Sequence, residues 1–483
     1  MNLRITLTVL LNLGIYLATG AQSLPGRKIA SAHALGDLQM VRLSVARLHP
    51  GFGRFGPRSE FLQPLDSLKA ALEKSDSVSV ESFFRMLNPI LVRLRCGHTK
   101  FFPPMKLFPF YFNTDHVLPV IVRFEDTGRL LVIRSAHPET VGQYLESIQG
   151  RPISSILQEL RRQMLVDGHV QSSADAQIQQ YFSAWYADFI QQGDRALTVG
   201  LTDQNGKATC MLMKGITAAA WQALDKNSSY LTHHNHLRFG NDSVAYLRIA
   251  NFYSREGDKH FRRFLDSAFT AISQRPVGHL VIDVRGNEGG NDALGKALFA
   301  HIARRDFRYC DHIEVKVKRK KELPDRGRAY LPKFIGLARL FIKKDVQGRL
   351  VFKKHQNLGM HRPRQGAYQG KVSFLQDGLS YSVTSEFLAV ARSEDRGTFI
   401  GEESGGTYEG DNSGTFVIYK LAGTGLDLGI PLAGYYSAVK PVPSPGRGIL
   451  PDITVRPGRE DLLSGRDPIR AALSYGSSIL LNF

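Results

Sequence analysis

The sequence predicts an α/β core preceded by a helical segment and a small β-rich subdomain. Three patterns predict it. Phe83, Phe84, Leu87, Leu91 and Leu94 recur at spacings of three and four, which puts them on one helical face. Leu118, Val120 and Val122 alternate as half-buried strand residues do. Leu280-Val281-Ile282-Asp283-Val284 is a nearly continuous apolar run, of the kind a parallel strand buried on both faces requires.

The elements follow in order. Residues 1–21 read as a signal peptide: Arg4 near the start, a mostly apolar run from Ile5 to Leu17, and small residues at Ala18-Thr19-Gly20-Ala21. The run is shorter than the roughly 20 residues of a membrane span. Export to the periplasm or the extracellular space is therefore expected. Residues 28–107 form the expected helical domain, with Ser79 as an N-cap and Pro89 breaking or kinking the helix that Ser79 opens. Residues 108–215 form the β-rich subdomain. A second apolar run at Leu130–Ile133 belongs to it, as do two short strands around Gly150 that lead into a helix over about 153–165, and a longer helix over about 173–192. Residues 240–460 alternate strands and helices. The strands are Val244–Ile249, 280–284, Val372–Leu375 and Thr398–Ile400. One helix carries Phe261, Phe264, Leu265, Ala268 and Ile272 on its apolar face, and another covers about 384–394.

Composition narrows the chemistry. The chain has 483 residues, 43% hydrophobic and 22% charged, far from the signature of disorder. Its net charge is +18, and the stretch from Lys316 to Lys354 carries fourteen Lys or Arg against three Asp or Glu. This basic insertion, 316–354, reads as a solvated segment that attracts anionic substrates or an anionic envelope surface and could lid a cleft. Nucleic acid binding would rest on charge alone and conflicts with export. Three cysteines, Cys96, Cys210 and Cys310, make no disulfide framework. The His233-His234-Asn235-His236 cluster lacks Cys or acidic partners at useful spacing, so it reads as a solvated loop and no metal is expected.

Two short segments point to catalysis. The 280–284 strand runs into Arg285-Gly286-Asn287-Glu288-Gly289-Gly290, beyond the carboxyl end of a strand, where α/β sheets bind ligands. Backbone N–H groups there can hold an oxyanion, and the glycine spacing does not fit a dinucleotide fingerprint. The second segment, Asp377-Gly378-Leu379-Ser380-Tyr381-Ser382, opens a helix. A Ser in that place is commonly a cap, but its oxygen also lies at the positive end of the helix dipole, as a nucleophile requires.

These segments, with Gly401-Glu402-Glu403-Ser404-Gly405-Gly406 and Gly446-Arg447-Gly448-Ile449-Leu450-Pro451-Asp452, match in order and spacing the motifs of another group. The chain thereby resembles the tail-specific, or C-terminal-processing, serine peptidase family. The resemblance implies a ClpP/crotonase-like core of β-β-α units and a serine peptidase working without metal or organic cofactor on protein or peptide substrates. It implies Ser382 as nucleophile, with the Val383 N–H and that of Gly289 or Gly290 as the oxyanion hole. The lysine base of the tail-specific branch would fall about 25 residues beyond the Ser, a position held here by Thr407. Gly97-His98-Thr99 instead resembles the branch of tricorn core proteases and interphotoreceptor retinoid-binding proteins, which makes His98 the expected base. The acid that branch carries before its last motif is missing here. Glu402, Glu403 and Glu409 are the substitutes, Glu402 first. Residues 117–160 loosely resemble a PDZ-like module. The rival function is a binding protein for peptides or apolar ligands on the same fold.

Overall fold

The computed structural model describes residues 26–104, 108–191, 193, 195–225, 231–240, 243–325, 329–330 and 339–469; the expected signal segment lies outside them. The centre of the molecule is a six-stranded sheet. Its order is His236–Phe239, Val244–Arg248, His279–Asp283, Lys371–Gln376, Thr398–Gly401, Ile453–Thr454. The first pair is antiparallel and the rest are parallel. Register aligns Leu247, Ile282, Phe374 and Phe399 in one row across four strands, all fully buried. That row packs on helices Asp258–Ser273, Asp292–Ala300 and Val383–Ser393. The opposite face buries Val281, Leu375 and Ile400 against Ile469. Burial on both faces is why these strands read as unbroken apolar runs.

The segment before this sheet contains helices Ser31–Leu48, Ser59–Glu73 and Val80–Val92. Ser79 caps the third: its hydroxyl accepts the Ser82 N–H at 3.0 Å. Pro89 does not end this helix, contrary to expectation; it lies inside the last turn before Val92. There the pyrrolidine removes the bond to Arg85 O and crowds that carbonyl, a cost offset by burial of Leu87, Ile90 and Leu91 on either side of it. The β-rich subdomain is an antiparallel sheet ordered Val120–Phe124, Leu130–Ser135, Tyr144–Ile148, Ala196–Thr202, Ala208–Lys214, with helices Ile153–Arg161 and Gln171–Phe189. One continuous apolar cluster joins the N-terminal helices, this sheet and the 417–432 hairpin.

A third sheet ties the ends of the chain together. Lys100–Phe102 pairs antiparallel with Asp427–Ser437, Lys100 facing Gly429 and Phe102 facing Asp427. This long-range pairing carries the segment just after His98 onto the C-terminal half. The basic insertion enters the same sheet: Ile342–Lys344 pairs with Leu350–Phe352, which pairs with Cys310–Val315, and Ala329–Tyr330 pairs with Ile418–Tyr419. Residues 326–328 and 331–338 of that insertion lie outside the described ones.

Candidate active site

The Lys371–Gln376 strand delivers a turn, 377–382, that is pinned from several sides. The Asp377 carboxylate accepts the N–H groups of Gly286 (2.9 Å) and Leu379 (3.0 Å), clamping this turn to the glycine turn of the neighbouring strand. Tyr381 N–H donates to Asn287 O at 3.0 Å. Ser380 is buried and structural: its hydroxyl donates to Val284 O and accepts the Asp377 N–H, both at 3.0 Å. The result at Ser382 is a backbone at φ 58°, ψ −127°, rare for a residue with a side chain. Strain of that kind costs about 1–3 kcal/mol and persists only where surroundings over-determine it. Ser382 makes no side-chain cap bond to its helix. Its hydroxyl instead lies 3.2 Å from His98 Nε2.

His98 arrives from the other end of the chain. Its turn is held by Gly97 N–H donating to Asp167 Oδ1 at 2.8 Å. Gly97 has no room for a side chain: a Cβ would lie 2.5 Å from the Tyr381 hydroxyl. That hydroxyl is 2.8 Å from His98 Nδ1, and the two rings stack with centroids 4.7 Å apart. Two buried carboxylates flank the imidazole. Asp167 Oδ2 is 3.8 Å from Nδ1, and Asp411 Oδ2 is 3.8 Å from Nε2. Burial pushes the His98 pKa down to about 4; the Asp167 charge opposes that shift and Lys100 adds to it. A neutral ring is the form able to accept a proton. Burial, then the nearby Asp167 charge, holds the Tyr381 hydroxyl well above the ordinary phenol range. Burial raises the Asp411 carboxyl to about 6, against a hydrogen bond from Ser413.

Asp283 and Arg285, from the same glycine-turn motif, have a different environment. Burial would raise the Asp283 pKa, but Arg285 and Arg248 outweigh it and bring it to about 2. Arg285 bonds Asp283 at 2.8 Å and Asp467 at 2.6 Å. This network fixes the turn rather than facing a cleft.

The remaining expected residues divide. Gly289 is pressed against Ser382, since a Cβ on it would lie 2.9 Å from Ser382 Cβ and 3.1 Å from Val383 N. Its own N–H, however, donates to Asn287 Oδ1 at 2.9 Å and is not free for an oxyanion. Of the expected donors, Val383 and Gly290 remain. Glu402 is not brought to His98: its carboxylate pairs with Arg456 at 2.6 Å. Glu403 is held by Arg447 and the Gly448 N–H, and Glu409 by the Gly446 N–H. Thr407, at the lysine position of the tail-specific pattern, uses its hydroxyl on Gly410 O. A lysine does reach the region from elsewhere. Lys100 Nζ donates to Gly97 O at 3.0 Å, and burial lowers its pKa. Sequence reasoning missed Asp167, Tyr381 and Asp411. Tyr381 was in view beside Ser382, but only the fold aims its hydroxyl. Asp167 and Asp411 carry no motif at all. Cys96, Cys210 and Cys310 are all free thiols.

Residues 243–455 match the model of peptidase family S41. No curated protein sequence matches the chain. Among solved structures, mature CPAF superposes with a TM-score of 0.64 at 14% identity, covering 94% of this chain and 98% of its own. Mature CPAF complexed with lactacystin gives 0.62 at 13% identity, over 94% of this chain and 99% of that one. The photosystem II D1 C-terminal processing protease gives 0.41 at 14% identity, over 89% and 94%. The CPAF likeness extends the shared fold from the matched domain to almost the whole chain. Residues 243–455 are thus a peptidase family S41 domain, set in a chain whose overall fold is similar to that of mature CPAF.

Proposed function

We propose that the protein is an exported serine endopeptidase in which Ser382 is the nucleophile and His98 its general base. The observation that carries this reading is the 3.2 Å approach of Ser382 Oγ to His98 Nε2, made by a serine that leaves its helix uncapped. Export rests on the N-terminal segment, and the chain shows no helix among the described residues long and apolar enough to cross a membrane.

The steps follow from the tautomer. A neutral imidazole has one N–H and one lone pair, so Nε2 can take a proton only if Nδ1 carries the hydrogen. The Tyr381 hydroxyl, 2.8 Å from Nδ1, accepts that hydrogen. Its own hydrogen is then directed toward the Asp167 carboxylate, whose charge raises its pKa. Ser382 attacks the substrate carbonyl as His98 takes its proton. The oxyanion meets the N–H groups of Val383 and Gly290. Collapse of the tetrahedral adduct breaks the C–N bond, and His98 returns the proton to the leaving amine. Water then hydrolyses the acyl-enzyme by the same base. During each transfer the imidazolium is stabilised by Asp167 and Asp411 across 3.8 Å. Tyr381 and Asp167 thus occupy the positioning role for which Glu402 was expected.

A serine-directed fluorophosphonate tests the proposal. Wild type is expected to label stoichiometrically and Ser382→Ala not at all. Because CPAF has been solved with lactacystin, lactacystin is a second probe, expected to block that labelling. A wild type that labels at no pH from about 6 to 9 would instead favour a binding protein on this fold.

A further inference from the structure

Each of the two carboxylates beside His98 has one oxygen held by a donor, Gly97 N–H for Asp167 and the Ser413 hydroxyl for Asp411, and one that is not. Asp167 Oδ2 and Asp411 Oδ2 are buried and accept no hydrogen bond. The Asp167 and Asp411 residues are 0% and 3% exposed. Buried acceptors of this kind cost free energy unless something supplies positive charge. His98, Asp167 and Asp411 each offer a ligand atom, and the three atoms lie within 4.8 Å of one another. The half-buried Ser382 lies beside the cluster, and the His98 side chain keeps 11% of its surface exposed, so the cluster meets solvent at this end.

We infer that His98, Asp167 and Asp411 form an inhibitory site for a divalent transition-metal cation of the Zn²⁺ class. This rests on the peptidase reading above for its consequence, though not for its ligands. Two donors on a tetrahedral zinc at 2.0–2.2 Å sit roughly 3.4 Å apart. Measured from a single ring nitrogen, one carboxylate lies at 3.8 Å and the ligand atoms all fall within 4.8 Å, so closure by between a few tenths of an ångström and about 1.4 Å completes the site. One imidazole with two carboxylates suits Zn²⁺ better than Mg²⁺ or Ca²⁺, which take oxygen ligands. Inhibition follows whichever ring nitrogen is used. A metal on Nε2 takes the lone pair that would receive the Ser382 proton. A metal on Nδ1 leaves the hydrogen on Nε2, which then donates and cannot accept. Binding forms the metal–nitrogen and metal–oxygen bonds and releases any proton the carboxyls hold; no redox step occurs.

Equilibrium dialysis of chelator-treated protein against ZnCl₂ tests the site. Ser382→Ala is expected to bind one zinc as the wild type does, and Asp411→Asn and His98→Ala to lose it. In wild type, zinc is expected to slow fluorophosphonate labelling at least tenfold, with full recovery on adding EDTA. No stoichiometric binding, or binding kept by Asp411→Asn, overturns the inference. So does a zinc lost only on His234→Ala or His236→Ala, which would place it on the exposed histidine loop. Should Asp411→Asn not fold, wild type alone decides: zinc that binds without slowing labelling sits elsewhere. Zinc bound by Ser382→Ala together with an unlabelled wild type would sink the peptidase reading and leave the metal site standing.

Discussion

Two groups of buried carboxylates in one molecule have opposite surroundings. Asp283 is fully buried, yet Arg285 reaches both its oxygens, at 3.0 and 2.8 Å, and Arg248 adds a third contact. Asp167 and Asp411 are about as buried, yet each leaves one oxygen without a donor and points it at an imidazole 3.8 Å away. The first group is satisfied, and it stiffens the glycine turn that packs against Ser382. In the proposed mechanism the second holds charge available for an imidazolium that exists only transiently. Buried charge that is paired serves the fold; buried charge left unpaired beside a titratable ring is a cost that the fold tolerates at functional sites.

Substitutions can break this contrast. The largest expected effect is His98→Ala, which should lower kcat/KM on a peptide substrate by about 10⁴-fold with little loss of stability. Arg285→Ala should do the reverse. It removes both Arg285 bonds to the buried Asp283, leaving the longer Arg248 contact as its cation, and is expected to cost about 3–5 kcal/mol in denaturant unfolding, with activity lost only as far as folded protein is lost. A smaller effect sharpens the comparison: Tyr381→Phe keeps the ring stack on His98 but removes the Nδ1 acceptor. It should lower kcat by about 10- to 100-fold, within the range for a proton-handling group, leaving KM and the unfolding midpoint near wild type. The smallest is Glu402→Gln, expected to change kcat/KM less than about twofold, because Glu402 pairs with Arg456 at a partly exposed site where such pairs contribute about 0–1 kcal/mol. A large kcat loss from Glu402→Gln alongside a silent Tyr381→Phe would reverse the assignment of the positioning group.

Much of this architecture was legible in the sequence because local patterns and burial agree there. The 280–284 run is apolar throughout because both faces of its strand are covered, and the observed strand is His279–Asp283. The helix expected at 384–394 is Val383–Ser393, opened by the serine singled out for catalysis. Ser79 caps as its position before an amphipathic run predicts. Pro89 misled because the buried apolar residues on either side of it, Leu87, Ile90 and Leu91, hold the helix together despite the proline's local cost. The acids misled for a different reason. Motif spacing drew attention to Glu402, whereas the carboxylates near His98 come from a turn after the Ile153–Arg161 helix and from the edge of the Asn412–Lys420 strand. Their approach depends on the Lys100–Phe102 pairing across more than three hundred residues, which no local window contains. Gly289 shows the same limit: its close packing on Ser382 was readable as a need for glycine, but the capture of its N–H by Asn287 was not.

The most direct test is the pH dependence of fluorophosphonate labelling of Ser382 in wild type and in His98→Ala. A base whose folded pKa is depressed to about 4 loses its proton well below neutrality. Reactivity should therefore rise through about pH 4 as the imidazole becomes neutral and be level from about pH 6 to 8, and His98→Ala should abolish this dependence along with most of the rate. A wild-type rate that keeps climbing through pH 8 to 10, or one that His98→Ala leaves intact, would contradict the account and point to Lys100 or another base.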